Sequence, residues 1–291
     1  MIRFSKYIWL YMVISGLVLV PGTFSLITWG LKPAIDFTGG TLLEFKFTKQ
    51  TTTDAINAVA KKESLPITSI QPTSSGTYIL RMQQGSDKIP QFQAGLLSAS
   101  ISGEVVRNET VGPVLGSELL KKTFTAALIA MAAILLYVAY AFKNFKFGIS
   151  AIVALIHDLL VVIGCFSLFG HFFSVEVDTL FVTAFLTTMS FSVHDTIVVF
   201  DRIRELLKRG ERLSFDALCD KAMTETIGRS TANSLTIVFM LLALALLGGE
   251  TVRWFVIALL IGTVSGTYSS PFVATPVLIL WDRWEKRKKL S

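Results

Sequence analysis

FGISAIVALIHDLLVVIGCFSLFG, residues 147–170, runs apolar from end to end, with no Lys, Arg or Glu and with a single acid, Asp158. Crossing about 30 Å of hydrocarbon takes about 20 such residues in a helix, and a run of this length with so few charges reads as a membrane span. Five more windows of the same kind follow from the chain at 8–30, 123–142, 176–200, 231–248 and 252–281. Composition agrees: 52% of the side chains are hydrophobic, 22 are Phe, only 16% are charged and the mean hydropathy is +0.60, far from the average of soluble domains. The first span follows Arg3 and Lys6 as a signal peptide would, yet its apolar core is too long and ends without a small-x-small site, so it reads as an uncleaved anchor.

The formal net charge of +6 raises nucleic acid as a ligand, and the placement of the basic residues argues against it. Arg3 and Lys6 precede the first span, and Lys143 and Lys146 fill the turn between the second and third. Arg202, Arg204, Lys208, Arg209, Arg212 and Lys221 lie between the fourth and fifth, and Arg283 to Lys289 close the chain. The alternate connections, GHFFSV and GGETVR, are nearly free of Lys and Arg. By the positive-inside rule both termini are cytoplasmic and the basic excess is a topology signal. Cys165 falls inside a span and Cys219 in a basic loop, so a disulfide between them is not expected.

That topology places 31–122 outside the cytoplasm, and the segment reads as a folded domain. TLLEFKFT alternates like a strand, TTDAINAVAKKESL repeats apolar residues at helical spacing after a Thr cap, and ITSIQPT with GTYILRMQ suggests a hairpin. DKIPQFQAGLLSAS offers a second helix and GEVVRNETV a last strand. The order strand, helix, strand, strand, helix, strand is that of a ferredoxin-like split unit. The expected architecture is therefore an α-helical polytopic membrane protein of six transmembrane helices, with one α+β ferredoxin-like extracytoplasmic domain between helices 1 and 2. Its parts are a cytoplasmic N-terminus and first span over 1–30, the outer domain, a five-helix region over 123–281 and a basic tail over 282–291. A cytoplasmic loop over 201–228 reads as two short amphipathic helices split at Gly210, or simply as a basic orienting loop.

Within the spans, ionisable residues carry the chemistry. A carboxylate in a bilayer costs about 2.5–3.5 kcal/mol on insertion scales and usually faces a bundle interior or a water path. Asp195, in SVHDTIVVFDRIRE shortly before the basic cap at Arg202, is such a residue; the alternative is that it pairs with Arg202 or reaches the interface. In TIGRSTANSLTIVF, the residues Arg229, Asn233 and Thr236 share one polar stripe, which puts Arg229 at the depth of Asp195 and makes an Asp195–Arg229 pair natural. Desolvation favours a protonated carboxyl and a neighbouring guanidinium favours the ionised one, so a helix shift that separates them would let protons on and off. Arg229 is equally explained as a positive-inside residue. IHDLL places His157 and Asp158 near the middle of the third span. Adjacent helical residues point about 100° apart, so these two do not read as metal ligands, and each His is given a packing, hydrogen-bonding or relay role. Gly262, Ser265 or Gly266, and Ser269 form a small-residue stripe suited to close helix packing. No phosphate loop, nucleophile elbow or Cys/His cluster is present in the sequence, so neither enzymatic chemistry nor a metal or other cofactor is expected.

Three segments, IDFTGGTLLEF after the first span, VGPVLGSELLKK before the second and SVHDTIVVFDRIRE closing the fourth, together with IHD in the third, resemble the SecF family of bacterial protein-export membrane proteins. The resemblance covers essentially the whole chain. It implies a half of a resistance-nodulation-division bundle in the bacterial inner membrane that works with SecD, the SecYEG translocon and YajC. Such a subunit uses the proton gradient to draw unfolded preproteins forward, among membrane lipids and with no nucleic acid partner. It further implies that Asp195 and Arg229 are proton-relay residues, with His194, His157, Asp158 and Asn233 as relay or supporting groups. Asp36, Gly39 and Gly40 match the family's first outer-domain motif, whose glycines are also explained as permitting an unusual backbone at a strand entry. The family most often has Asn before the relay aspartate, where this chain has His194. Two other readings stay open: a proton-coupled exporter half for lipids or small molecules, and a membrane scaffold without ion coupling.

Overall fold

Among the described residues, six helices of the computed structural model are long and apolar enough to cross a membrane, and the chain is a multi-pass membrane protein. The structure describes residues 3–48, 51–73, 76–82, 88–99, 101–142 and 144–290. Lys143 in the expected basic turn, Ser74 and Ser75 in the expected hairpin, and Asp87 and Ser100 at the ends of the expected second helix lie outside the described residues. The spans are α1 (Ile8–Thr28), preceded by a 3-10 turn at Phe4–Tyr7, then α5 (Pro113–Phe142), α6 (Phe145–Phe173), α7 (Thr179–Lys208) and α8 (Phe215–Leu247). The last is composite: α9 (Glu250–Ser269) and α10 (Thr275–Leu290) are joined by a π turn over Ser270–Ala274 that contains Pro271.

Two spans begin earlier than apolar windows suggest. Helix α5 starts at Pro113, a residue preorganised for a first helical turn, and its polar opening is held by a Glu118–Lys122 pair at 2.7 Å, one turn apart. Helix α8 starts at Phe215 behind a Ser214 cap whose Oγ accepts from Ala217 N at 3.3 Å. The two short surface helices expected over 201–228 are instead continuations of α7 and α8, turned at Gly210, which has a φ of 70°. Ion pairs explain the continuity. Arg202 bridges Glu205 on its own helix and Glu225 of α8, the latter at 2.6 Å, and Arg209 reaches back to Glu205 at 2.6 Å.

The chain divides into two compact units, 33–125 and 1–32 with 126–291. In the first, a turn of helix α2 (Ile35–Thr38) leads into β1 (Gly40–Phe47), α3 (Thr53–Lys62), β2 (Ile67–Pro72), β3 (Thr77–Met82), α4 (Ile89–Ser98) and β4 (Gly103–Val111). The four strands form one antiparallel sheet in the order β2-β3-β1-β4, the ferredoxin-like arrangement. Alternation along β1 buries Leu43, Phe45 and Phe47, and helical spacing along α3 buries Ile56, Val59 and Ala60 in the same core with Phe92 and Leu96 of α4.

In the second unit, α9 packs against α6, α7 and α8. The expected small-residue stripe is two stripes. Gly262 and Gly266 face α7, where a β-carbon on Gly262 would collide with the Thr188 side chain and one on Gly266 would lie 3.1 Å from the Ser192 Cα. Ser265 and Ser269 face α6. Lipid tails are as apolar as Leu, so packing and interhelical hydrogen bonds are what hold such crossings together.

Candidate functional site: two buried carboxylates

Asp195 and Asp158 are 8% and 3% exposed, each within a span. Their surroundings differ. Asp195 looks from α7 toward α8, where Ser234 Oγ donates to its Oδ2 at 3.4 Å and Ser230, one turn earlier, is its other hydroxyl partner. These serines line a cavity of about 280 Å³ between α7, α8 and the last span, together with Val199, Thr226 and Tyr268. The Ser234 bond is long, and free volume adjoins both serines.

Arg229 does not pair with Asp195. Its side chain is exposed and makes no ion pair among the described residues. The physical reason is angular. Arg229 shares the depth of Ser230, about 1.5 Å along the axis, but adjacent positions point about 100° apart, so the serine takes the place facing α7. Asn233 precedes Ser234 in the same way and is likewise exposed, as is His194 beside Asp195. The polar stripe inferred for Arg229, Asn233 and Thr236 therefore exists, but it runs along the exposed side of α8.

Asp158 is gripped. Ser265 Oγ donates to its Oδ1 and Ser269 Oγ to its Oδ2, both at 2.6 Å, and His157 Nδ1 lies 3.0 Å from Oδ1. The next residue on α9's continuation, Ser270, bonds Thr196 of α7 at 2.9 Å, so a polar layer crosses from Asp158 to the neighbour of Asp195. His171, the third histidine, stacks on Trp29 with ring centroids 3.7 Å apart. Cys165 and Cys219 are both free thiols.

A third buried acid was not singled out from sequence. Asp220, 3% exposed near the start of α8, accepts from Ser5 N at 2.8 Å and Ser5 Oγ at 2.7 Å, and so caps the 3-10 turn that precedes α1. In the α+β unit, Gly39 and Gly40 have φ of 73° and 133°, a region that residues with a β-carbon avoid. A β-carbon on Gly39 would also sit 2.7 Å from Pro113 Cα, so the glycine lets the strand entry pass close to the start of α5. Asp36 lies in the α2 turn just before them.

Residues 93–284 match the family model described as protein export membrane protein SecD/SecF, C-terminal, and residues 24–51 match the SecD/SecF GG motif. The chain belongs to the SecD/SecF family of protein-export membrane proteins. It is 38% identical to the protein translocase subunit SecF of Thermobaculum terrenum over 97% of this chain and 94% of that one. It is 39% identical to that of Anaerolinea thermophila, over 96% and 94%. The protein translocase subunit SecDF of Thermus thermophilus is 33% identical over 90% of this chain and only 36% of its own length. Among solved structures, the SecDF crystal structure from Thermus superposes with a TM-score of 0.87 at 28% identity, over 97% of this chain and 39% of that one. A SecDF structure in the super-membrane-facing form gives 0.73 at 29% identity, over 99% and 40%. The chain thus spans about two fifths of the SecDF chains of known structure. The GG motif match contains Asp36, Gly39 and Gly40, and the C-terminal match contains both buried span carboxylates.

Proposed function

We propose that this chain is the SecF-type subunit of a SecDF complex and assists Sec-dependent translocation of preproteins. Its partner is a SecD-type subunit, since a related SecDF protein carries a segment like this one inside a single longer chain. SecYEG, YajC and the unfolded preprotein complete the assembly. The protein sits in the bacterial inner membrane with both termini in the cytoplasm, as the basic connections argue, and with the α+β unit on the outer side.

The energy source in this reading is the proton gradient, and Asp195 carries the proton. The supporting observation is its setting: a carboxylate inside a span, held by serine hydroxyls with no cation, the Ser234 bond a long 3.4 Å, beside a cavity, and with Arg229 out of contact at the same depth. Such a group exchanges a proton at low structural cost. One proton moving through 100 mV releases about 2.3 kcal/mol, and a differential of that size shifts a two-state helix arrangement by more than tenfold. Rotation or sliding of α8 would bring Arg229 toward the ionised acid, and protonation would release it.

The test is proton flux into vesicles holding the chain with its SecD-type partner. Asp195→Asn removes the flux and leaves co-purification of the partner unchanged. Flux at the level of the unsubstituted protein would exclude Asp195 as the carrier.

A further inference from the structure

We propose that α8 and the last span slide together by one helical turn along α6 and α7, so that the bundle has two registers, of which this structure shows one. The inference goes beyond the role given to Asp195 and needs no assignment of the proton. Helices α8 and α9 are joined by only two residues, Gly248 and Gly249, and Arg283 of α10 reaches back to Asp216 of α8 at 2.7 Å. Displacement of one therefore carries the others. Between α7 and α8 the chain has slack, over 209–214, where Gly210 has a φ of 70°.

Every buried polar contact across the sliding surface repeats at a spacing of four residues. On α7, Thr188, Ser192 and Thr196 are each no more than 3% exposed. They face Gly262, Gly266 and Ser270 in that order: the first two are the close approaches of the glycines, and the third is a Thr196–Ser270 hydroxyl bond of 2.9 Å. Asp195 faces α8 at Ser234 and Ser230, and Thr226 stands four residues before Ser230; all three hydroxyls line one cavity. Asp158 of α6 is bonded by Ser265 and Ser269, again four apart. Four residues are about 6 Å of helix, close to one turn, so such a shift returns each small or hydroxyl side chain to a place that another like it has just left.

One atom gives the shift a direction. Ser192 Oγ is buried between α7 and α9 and has no hydrogen-bond partner among the described residues, since glycine stands opposite it. An unmet buried hydroxyl is costly. Movement toward the Gly248–Gly249 end by four residues brings Ser270 level with Ser192 and supplies the missing partner. Thr196 gives up Ser270 but keeps its own bond to Ser192 O, at 3.0 Å. Gly266 comes level with Thr188, where glycine is required, because a β-carbon in the present place of Gly262 collides with that threonine. A β-carbon in the place of Gly266 lies 3.1 Å from Ser192 Cα, so the two helices part by a few tenths of an ångström to admit Ser270. Asp195 exchanges Ser234 and Ser230 for Ser230 and Thr226, while Asp158 keeps Ser269 in the place of Ser265. The exchange is between discrete packings, as in other one-turn ratchets of helices.

The present register is held at the opposite end of the helices. Lys146 of α6 bridges Asp282 and Glu285 of α10, and Arg202 of α7 bonds Glu225 of α8 at 2.6 Å. After the shift Lys286 stands where Asp282 was and Lys221 where Glu225 was, so both contacts turn from attraction to repulsion. Ser5 also loses Asp220, which travels with α8. Ion pairs and a cap at one end thus oppose the unmet hydroxyl in the middle, and the slide gives the bundle a stroke of about 6 Å along its axis.

Disulfide trapping in the full chain with its SecD-type partner in lipid discs, with Cys165 and Cys219 replaced by alanine, reads the register. Thr196→Cys with Ser270→Cys reports the present one and Ser192→Cys with Ser270→Cys the shifted one, because a turn of offset takes two cysteines beyond bridging range. Linked peptides are measured by mass spectrometry. Lys146→Ala with Glu225→Gln should raise the 192–270 link severalfold and lower the 196–270 link. A 192–270 link that stays absent in that background overturns the proposal, and so does a rise of both links together, which would mean general loosening. Spin labels on the exposed Leu207 of α7 and Trp284 of α10 leave the sliding surface untouched and decide the matter if a cysteine pair fails to assemble. Pulsed electron resonance should then show two label separations, the second gaining population in the Lys146→Ala, Glu225→Gln background; a single unchanged separation overturns the slide, whatever vesicle flux says about Asp195.

Discussion

Replacing each buried acid by leucine should change stability in opposite directions. Asp195 gives up two serine partners, Ser230 and Ser234, the latter at 3.4 Å near the outer limit for such a bond, together worth about 1–2 kcal/mol. It gains relief from burying a carboxyl in a span, about 2.5–3.5 kcal/mol at the centre and less toward an end. The cavity of about 280 Å³ lined by Ser230 and Ser234 gives the added carbons room. Asp195→Leu should therefore stabilise the bundle by about 1–2 kcal/mol. Asp158→Leu leaves His157 Nδ1, Ser265 and Ser269 without their partner, and breaking a buried pair in this way costs about 3–5 kcal/mol. Thermal unfolding of the purified chain in mild detergent, followed by circular dichroism, reads both signs. A fall in melting temperature for Asp195→Leu comparable to that for Asp158→Leu would mean that Asp195 is a structural acid, and the reasoning that assigns it to transport would fail.

Gly262→Val puts a branched side chain where α9 meets Thr188 of α7, and should destabilise the purified chain by about 1–3 kcal/mol in the same unfolding experiment. Gly39→Ala forces a β-carbon onto a φ of 73° and toward Pro113, costing at least about 1–2 kcal/mol; hydrogen exchange on the full chain should quicken in β1 and leave α6 unaffected. Asp220→Ala removes both bonds to Ser5 at a cost of about 1–3 kcal/mol, and exchange should accelerate over Phe4–Tyr7.

The spans were legible because a run of some twenty apolar residues has one inexpensive solution in lipid, a helix. Their ends were less so, since the polar turns at Ser117–Lys122 and Phe215–Glu225 are helical through local ion pairs and caps that a hydropathy window does not register. The sheet order followed from the strand and helix sequence, because alternation in β1 and helical spacing in α3 both point inward to one core. Asp195 and Asp158 stood out as costly residues, but their partners did not. Ser234 is 39 positions from Asp195, and Ser265 is 107 from Asp158. The α8 face was misjudged by one residue, which on a helix is about 100° and exchanges an arginine for a serine. The sequence did contain a clue at Ser265 and Ser269, two hydroxyls four apart on one helix; their spacing fits close packing as well as a grip on an acid. Nothing in the local pattern around Asp220 announces Ser5, 215 residues away.

The most direct measurement of the account is preprotein export in cells whose sole copy of this subunit is Asp195→Asn, with Asp195→Glu beside it and the membrane level of the partner complex measured in both. The asparagine variant should assemble normally and lose the export that depends on the proton gradient, while the glutamate variant retains part of it. Export in the asparagine variant equal to that of the unsubstituted protein, at equal assembly, would contradict the account.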